Sequence, residues 1–136
     1  PFHYVDLRAF CYATEDEERV MRALRAFLPE EAEIERDETE GHSGDRILVF
    51  STRVENADGV RHVFDRIREA ASFDRIVDEL DERIDDNCSL FLRLDKQAAY
   101  QGRVTLGEGI TLRAKVEAYP AKHAAAVENA RSALQP

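Results

Sequence analysis

The sequence predicts an α+β fold, a largely antiparallel sheet with helices packed on one face, and three observations carry that expectation. Segments of period two and segments of helical period follow one another without a regular β-α repeat. The period-two segments pair an apolar set with a polar set, which leaves the second sheet face to solvent or a ligand. At 136 residues and 43% apolar content, the chain can bury one core and needs no second one, so residues 1–136 are expected to form a single domain. The expected order is β-α-β-β-α-α-β-β-β-α.

Tyr4 to Ala13 alternates Val5, Leu7, Ala9, Cys11 and Ala13 with Tyr4, Asp6, Arg8, Phe10 and Tyr12, the pattern of a strand. Thr14 with Glu17 spells a capping box, and Val20, Met21, Leu24, Phe27 and Leu28 continue at helical spacing to Pro29. Ala32 to Thr39 reads as a polar edge strand whose acids discourage pairing with another chain. Arg46 to Val54, with Ile-Leu-Val-Phe at its centre, reads as a buried strand. Gly41-His42-Ser43-Gly44-Asp45 lies in the turn between them.

Asn56 is placed to cap a helix with Val60, Val63, Phe64, Ile67 and Ala71 on its inner face. Ser72 is placed to cap another, carrying Phe73, Ile76, Val77, Leu80 and Ile84, that ends at the turn Asp85-Asp86-Asn87. Strands are then expected over Cys88 to Leu94, Arg103 to Leu106 and Ile110 to Ala118, the last two joined by the hairpin turn Gly107-Glu108-Gly109. Pro120 opens a final Ala-rich helix through Leu134.

The charge is uneven. Between Leu90 and Val116 stand Arg93, Lys96, Arg103, Arg113 and Lys115 against Asp95 and Glu108, a local balance of +3 in a chain of net charge -9. A concentrated positive patch on a negative background is the footprint of an anion receiver, RNA being the obvious large anion. Sixteen Arg against three Lys, with 28 acids, resembles the composition of salt-adapted archaeal proteins, whose dense carboxylates hold water and cations in concentrated salt. No apolar run approaches the roughly 20 residues of a membrane span, and the start lacks the charge and apolar pattern of a leader, so the expected location is cytoplasmic. Cys11 and Cys88 lie in apparent strands without metal-ligand spacing and are expected to be buried free thiols.

Alternation turns Leu90, Leu92 and Leu94 inward and Phe91 and Arg93 outward. In the next strands Val104, Leu106, Ile110, Leu112, Ala114 and Val116 turn inward, sending Arg103, Thr105, Thr111, Arg113 and Lys115 out, with Tyr119 on the same outward set. Lys96, Gln97 and Tyr100 occupy the connection beside that face. Guanidinium groups hold phosphates in bidentate fashion and aromatic rings stack unpaired bases. For any one of these side chains, pairing with a nearby carboxylate is the commoner fate; the cluster as a whole favours RNA. The Gly41 to Asp45 turn is no nucleophile elbow, because Asp45 stands where that motif needs Gly and no helix follows. Its glycine N–H groups and His42 suit a phosphate better than a triad. No His, Cys or carboxylate spacing calls for a metal, and no Gly-rich loop calls for a nucleotide cofactor, so an enzyme is not expected.

The strand ending in ATEDEERV, the turn GHSGDRI and the segment LRLDKQAAYQG together resemble an archaeal family described as predicted exosome-subunit or exosome-associated RNA-binding proteins. The resemblance covers nearly the whole chain, and LRLDKQAAYQG is its most specific part. It implies an α+β domain similar in fold to the large-subunit ribosomal protein that binds 5S RNA, and a non-catalytic accessory role in RNA processing or degradation. The matching positions are Gly41, His42 and Gly44, then Arg93, Asp95, Lys96, Gln97, Tyr100 and Gly102. The resulting expectation has Arg93, Lys96, Arg103, Arg113 and Lys115 on phosphates, with Gln97 beside them and Tyr100 and His42 as stacking groups. The partners are RNA and proteins of an exosome or other processing complex, with no membrane and no cofactor. The rival is a subunit that docks another acidic protein on the same face without touching RNA.

Overall fold

The computed structural model describes residues 1–135; Pro136, the last residue of the expected domain, lies outside the described residues. The elements are β1 (Phe2–Cys11), α1 (Glu17–Arg25), β2 (Glu35–Glu40), β3 (Arg46–Val54), α2 (Ala57–Arg68), α3 (Phe73–Asp78), α4 (Leu80–Arg83), β4 (Ser89–Asp95), α5 (Lys96–Tyr100), β5 (Gly109–Val116) and α6 (His123–Leu134). The strands form one antiparallel sheet in the order β2-β3-β1-β5-β4. The described residues therefore form an α+β fold with five antiparallel strands and six helices.

Period two sets the packing. Val5, Leu7, Ala9 and Cys11 of β1, Leu48 and Phe50 of β3, Leu90, Leu92 and Leu94 of β4, and Ile110, Leu112 and Ala114 of β5 are buried together under the helices. The helices contribute Val20, Ala23 and Leu24 from α1, Val63, Phe64 and Ile67 from α2, Ile76 and Leu80 from α3 and α4, and Ala126 and Ala130 from α6. A register shift between Phe2 and Tyr4 turns Phe2 from the outward set to the helix side, where it stacks on Phe64 at 4.2 Å. Both cysteines are buried and free; burial pushes the Cys11 thiol above its ordinary range.

Local chemistry explains the departures from expectation. Thr14 does not cap α1: Asp16 does, accepting from the Glu18 N–H at 2.9 Å. Asn56 caps α2 through the Gly59 N–H at 2.7 Å, but α2 ends at Arg68 and leaves Ala71 exposed, Ala70 being buried instead. Ser72 precedes α3 without a side-chain cap, and the expected single helix breaks at Glu79 into α3 and α4. The last helix starts at His123, not Pro120.

The largest correction concerns Arg103 to Leu106, which is no strand. Asp95 caps the short helix α5 through the Gln97 N–H, and Ala98 and Ala99 bury its inner side. The chain then returns along the outer edge of β4, where the Asp95 N–H bonds the Thr105 carbonyl and the Gly107 N–H the Arg93 carbonyl, making a single bridge between Leu94 and Leu106, and the Lys96 N–H bonds the Glu108 carbonyl. Val104 is buried and Leu106 half-buried, so the alternation was real while the ladder is too short to make a strand. Gly107-Glu108-Gly109 is accordingly a close crossing and not a hairpin turn. A Cβ on Gly109, whose φ is +113°, would stand 2.6 Å from the Lys96 Cβ.

Candidate nucleic-acid interface

The sheet face away from the helices carries the outward sets of four strands, and the register lines them up in rows. One row runs Arg53, Asp6, Arg113, Phe91 across β3, β1, β5 and β4. The adjacent row runs Ser51, Arg8, Thr111, Arg93. These side chains line an open groove of about 800 Å³, with Glu33 and Glu35 on its β2 side. The face is thus polarised, acidic toward β2 and basic over β1, β5 and β4.

Not all of its cations are equally available. Arg53 donates to both oxygens of Asp6, at 2.8 and 3.0 Å, and lies 3.8 Å from the centre of the Tyr4 ring. That hydrogen-bonded carboxylate holds the Arg53 guanidinium even further above its ordinary pKa. Arg113 donates to the Tyr4 hydroxyl at 3.2 Å and has no carboxylate within ion-pair distance among the described residues. Arg8 has neither kind of partner there and is exposed. Arg93 reaches Glu108 only at 3.7 Å, with 72% of its side chain exposed. Arg8, Arg93 and Arg113 are therefore free to receive an anion, and Phe91 stands among them 45% exposed.

The remaining sequence-selected residues divide between other places. Lys115 lies in β5 beyond Arg113 and its Nζ donates to the Asn87 carbonyl. Lys96 points to the helix side, bonding Glu15 at 2.7 Å and the Phe10 carbonyl at 2.8 Å. Tyr100 packs beside α1, its ring centre 5.0 Å from the Arg19 guanidinium and 5.6 Å from that of Arg22. Gln97 is exposed at that corner, while Arg103 is exposed and donates to Gln101 at 2.6 Å. His42 is exposed in the β2–β3 turn, where Gly44 takes a φ of +79°. That turn belongs to the opposite sheet edge, four strand spacings or about 19 Å from β4. Tyr119 is 98% exposed beyond the end of β5 and is not part of the strand. The sheet thus gathers Arg93 and Arg113, while Lys96, Gln97 and Tyr100 form a separate corner between α1 and α5.

Sequence reasoning missed Arg8, Arg53 and Tyr4. The alternation of β1 already assigned Tyr4 and Arg8 to its polar set. What it lacked was the strand order that sets β1 beside β5.

A family model described as RNA binding matches residues 4–116. The chain belongs to this RNA-binding family. The match spans all five strands and their outward residues from Tyr4 onward. Among its relatives, the RNA-binding protein PAB1135 of Pyrococcus abyssi is 36% identical over 98% of this chain and 94% of its own length. Protein MJ0213 of Methanocaldococcus jannaschii is 32% identical over 77% of this chain and 76% of its own. The solved structure of Mth689, a DUF54 protein of Methanothermobacter thermautotrophicus, superposes with a TM-score of 0.85 at 42% identity, covering 98% of each chain. Among the described residues no helix is long and apolar enough to cross a membrane.

Proposed function

We propose that this chain binds RNA through the basic part of its open sheet face and acts, as a single domain and without catalysis, as an accessory factor in RNA processing or degradation. The observation that carries this reading is the meeting of Arg8, Arg93 and Arg113, none of them closely paired, in two adjacent rows of an otherwise acidic chain. Guanidinium groups in such rows suit the phosphates of an extended polyanion. Membership of the RNA-binding family supports it, as does the name of the Pyrococcus relative. Lys115 extends the phosphate track past Arg113; Gln97, Tyr100, Arg103 and His42 are outlying contacts for a longer RNA. Lys96 serves by holding the α1–α5 corner in place. An exosome association, a fold kinship with the 5S-RNA-binding ribosomal protein, a cytoplasmic location and a salt-adapted source belong to the same proposal. They rest on the motif resemblance and on the acid-rich, Arg-over-Lys composition.

The test is fluorescence anisotropy of labelled RNAs from low to molar KCl, comparing wild type with Arg93→Glu/Arg113→Glu after circular dichroism confirms that both are folded. The expected result is saturable binding at low salt that falls by at least about tenfold in the double variant. Failure to bind any RNA would overturn the reading and favour the docking of a protein partner on this face.

A further inference from the structure

The basic face does not end at β4. A second hollow on the outer side of that strand has in its lining Arg75, Glu82, Arg83, Asp85, Phe91 and Arg93. Phe91 and Arg93 line both hollows, so the two meet at a rim made by one aromatic ring and one guanidinium.

The edge of β4 is closed on either side of this rim. Antiparallel alternation points the main-chain groups of Ser89, Phe91, Arg93 and Asp95 outward. The Ser89 carbonyl accepts from the Asp85 N–H at 3.0 Å, the Arg93 carbonyl from the Gly107 N–H at 3.1 Å, and the Asp95 N–H donates to the Thr105 carbonyl at 2.9 Å. Bridges of Ile84 with Leu90 and of Leu106 with Leu94 mark the two closures. Between them the Phe91 carbonyl and the Arg93 N–H remain open among the described residues. Beside them stands Arg83, whose side chain is 18% exposed and whose Nε is buried without a hydrogen-bond partner. Its other end is held by Glu79, which also accepts from Arg75. Two acids line this hollow, Glu82 and Asp85, and Asp85 already accepts from the Asn87 and Ser89 N–H groups.

An added peptide strand needs a run of alternate donors and acceptors, and one carbonyl with one N–H is too short a run. A duplex offers phosphates and groove edges while its base faces are stacked on each other, so an exposed phenyl ring would gain nothing from it. An unpaired strand uses every group present: a base face for the ring and a phosphodiester for the donors.

We propose, resting on the RNA-binding reading of the sheet face, that the RNA received there is single-stranded. One base stacks on Phe91, and the strand crosses the β4 edge so that a phosphodiester lies against Arg83 and Arg93.

The chain contains no tryptophan, so Phe91→Trp places a single fluorescent reporter at the rim. Wild type, Phe91→Ala, Phe91→Trp and Arg83→Lys, each checked by thermal melting, are titrated with a labelled RNA of about 12 nucleotides and with its duplex. The expected result is a preference for the single strand, which Phe91→Ala lowers by about tenfold while leaving duplex affinity unchanged. Phe91→Trp retains affinity and its fluorescence is quenched by the single strand. Arg83→Lys, which keeps the charge and removes the planar guanidinium fork, weakens the single strand by about threefold. Equal wild-type affinity for both RNAs, or an unaffected Phe91→Ala, overturns the inference. If Arg93→Glu/Arg113→Glu then still abolishes binding, the basic-face reading stands alone. If wild type binds neither RNA, both fall.

Discussion

On the sheet face, Arg93 keeps 72% of its side chain exposed and its nearest carboxylate is 3.7 Å away. Three residues along, Lys96 keeps 12%, its partner Glu15 keeps 23%, and a second bond at 2.8 Å fixes it to the Phe10 carbonyl. The two cations are neighbours in sequence and alike in sign. One is a free donor on a rim, while the other ties the end of β1 to the start of α5. What separates them is whether the cation's donors already have acceptors inside the protein, since a desolvated ammonium with two of its three donors bonded has little to offer a ligand.

Substitutions at the corner should therefore be read in stability, and those on the face in binding. The largest effect is expected for Gly109→Ala, where a Cβ would collide with Lys96 in a backbone conformation that side chains avoid. About 3 kcal/mol should be lost in urea unfolding. Lys96→Ala should cost about 2 kcal/mol, because it removes the ammonium shared by the Phe10 carbonyl and Glu15, leaving that half-buried carboxylate only the Tyr12 N–H. The folded variant should keep its RNA affinity within about twofold, in line with a role apart from phosphates. A large loss of affinity at unchanged stability would break the comparison. Arg113→Gln should do the reverse, shifting stability by less than about 0.5 kcal/mol while making the salt slope of log K shallower by about 1.

The smallest effect concerns Glu79. The hydrogen bond from Arg83, followed by that from Arg75, holds its carboxyl below the usual range. A lowered folded pKa gives stability that is complete above the ordinary value of 4.5 and fades as pH falls through the folded value. Glu79→Gln should therefore melt below wild type at pH 7, with the gap narrowing as the pH is lowered below 4.5.

The same contrast marks how far the sequence could be read. Alternation gave the outward and inward sets of β4 and β5 correctly, because one side of each strand is wholly apolar. The fold class and the Asn56 cap were legible for similar local reasons. Lys96 was grouped with the phosphate-binding cations because its partner lies 81 residues away, and no local pattern announces an ion pair of that range. The false strand at Arg103 to Leu106 has the same origin: its apolar alternation reflects packing against an edge, while strand identity depends on a neighbour the sequence does not name. Arg8 and Arg53 escaped because local pattern reveals which face a residue takes, and the sheet order decides what stands next to it.

That sheet order also bears on how the molecule is made. β1 is the central strand, bounded on one side by β3 and on the other by β5, whose Val116 pairs with Phe2. During synthesis the β3 side can zip early, but the other edge of β1 has to wait for more than a hundred further residues, several seconds at ordinary ribosomal rates. Through that interval a nascent chain presents an apolar, half-paired central strand, and the closing contact spans nearly the whole described chain. Folding should accordingly be slow for a molecule of this size and limited by the arrival of β5.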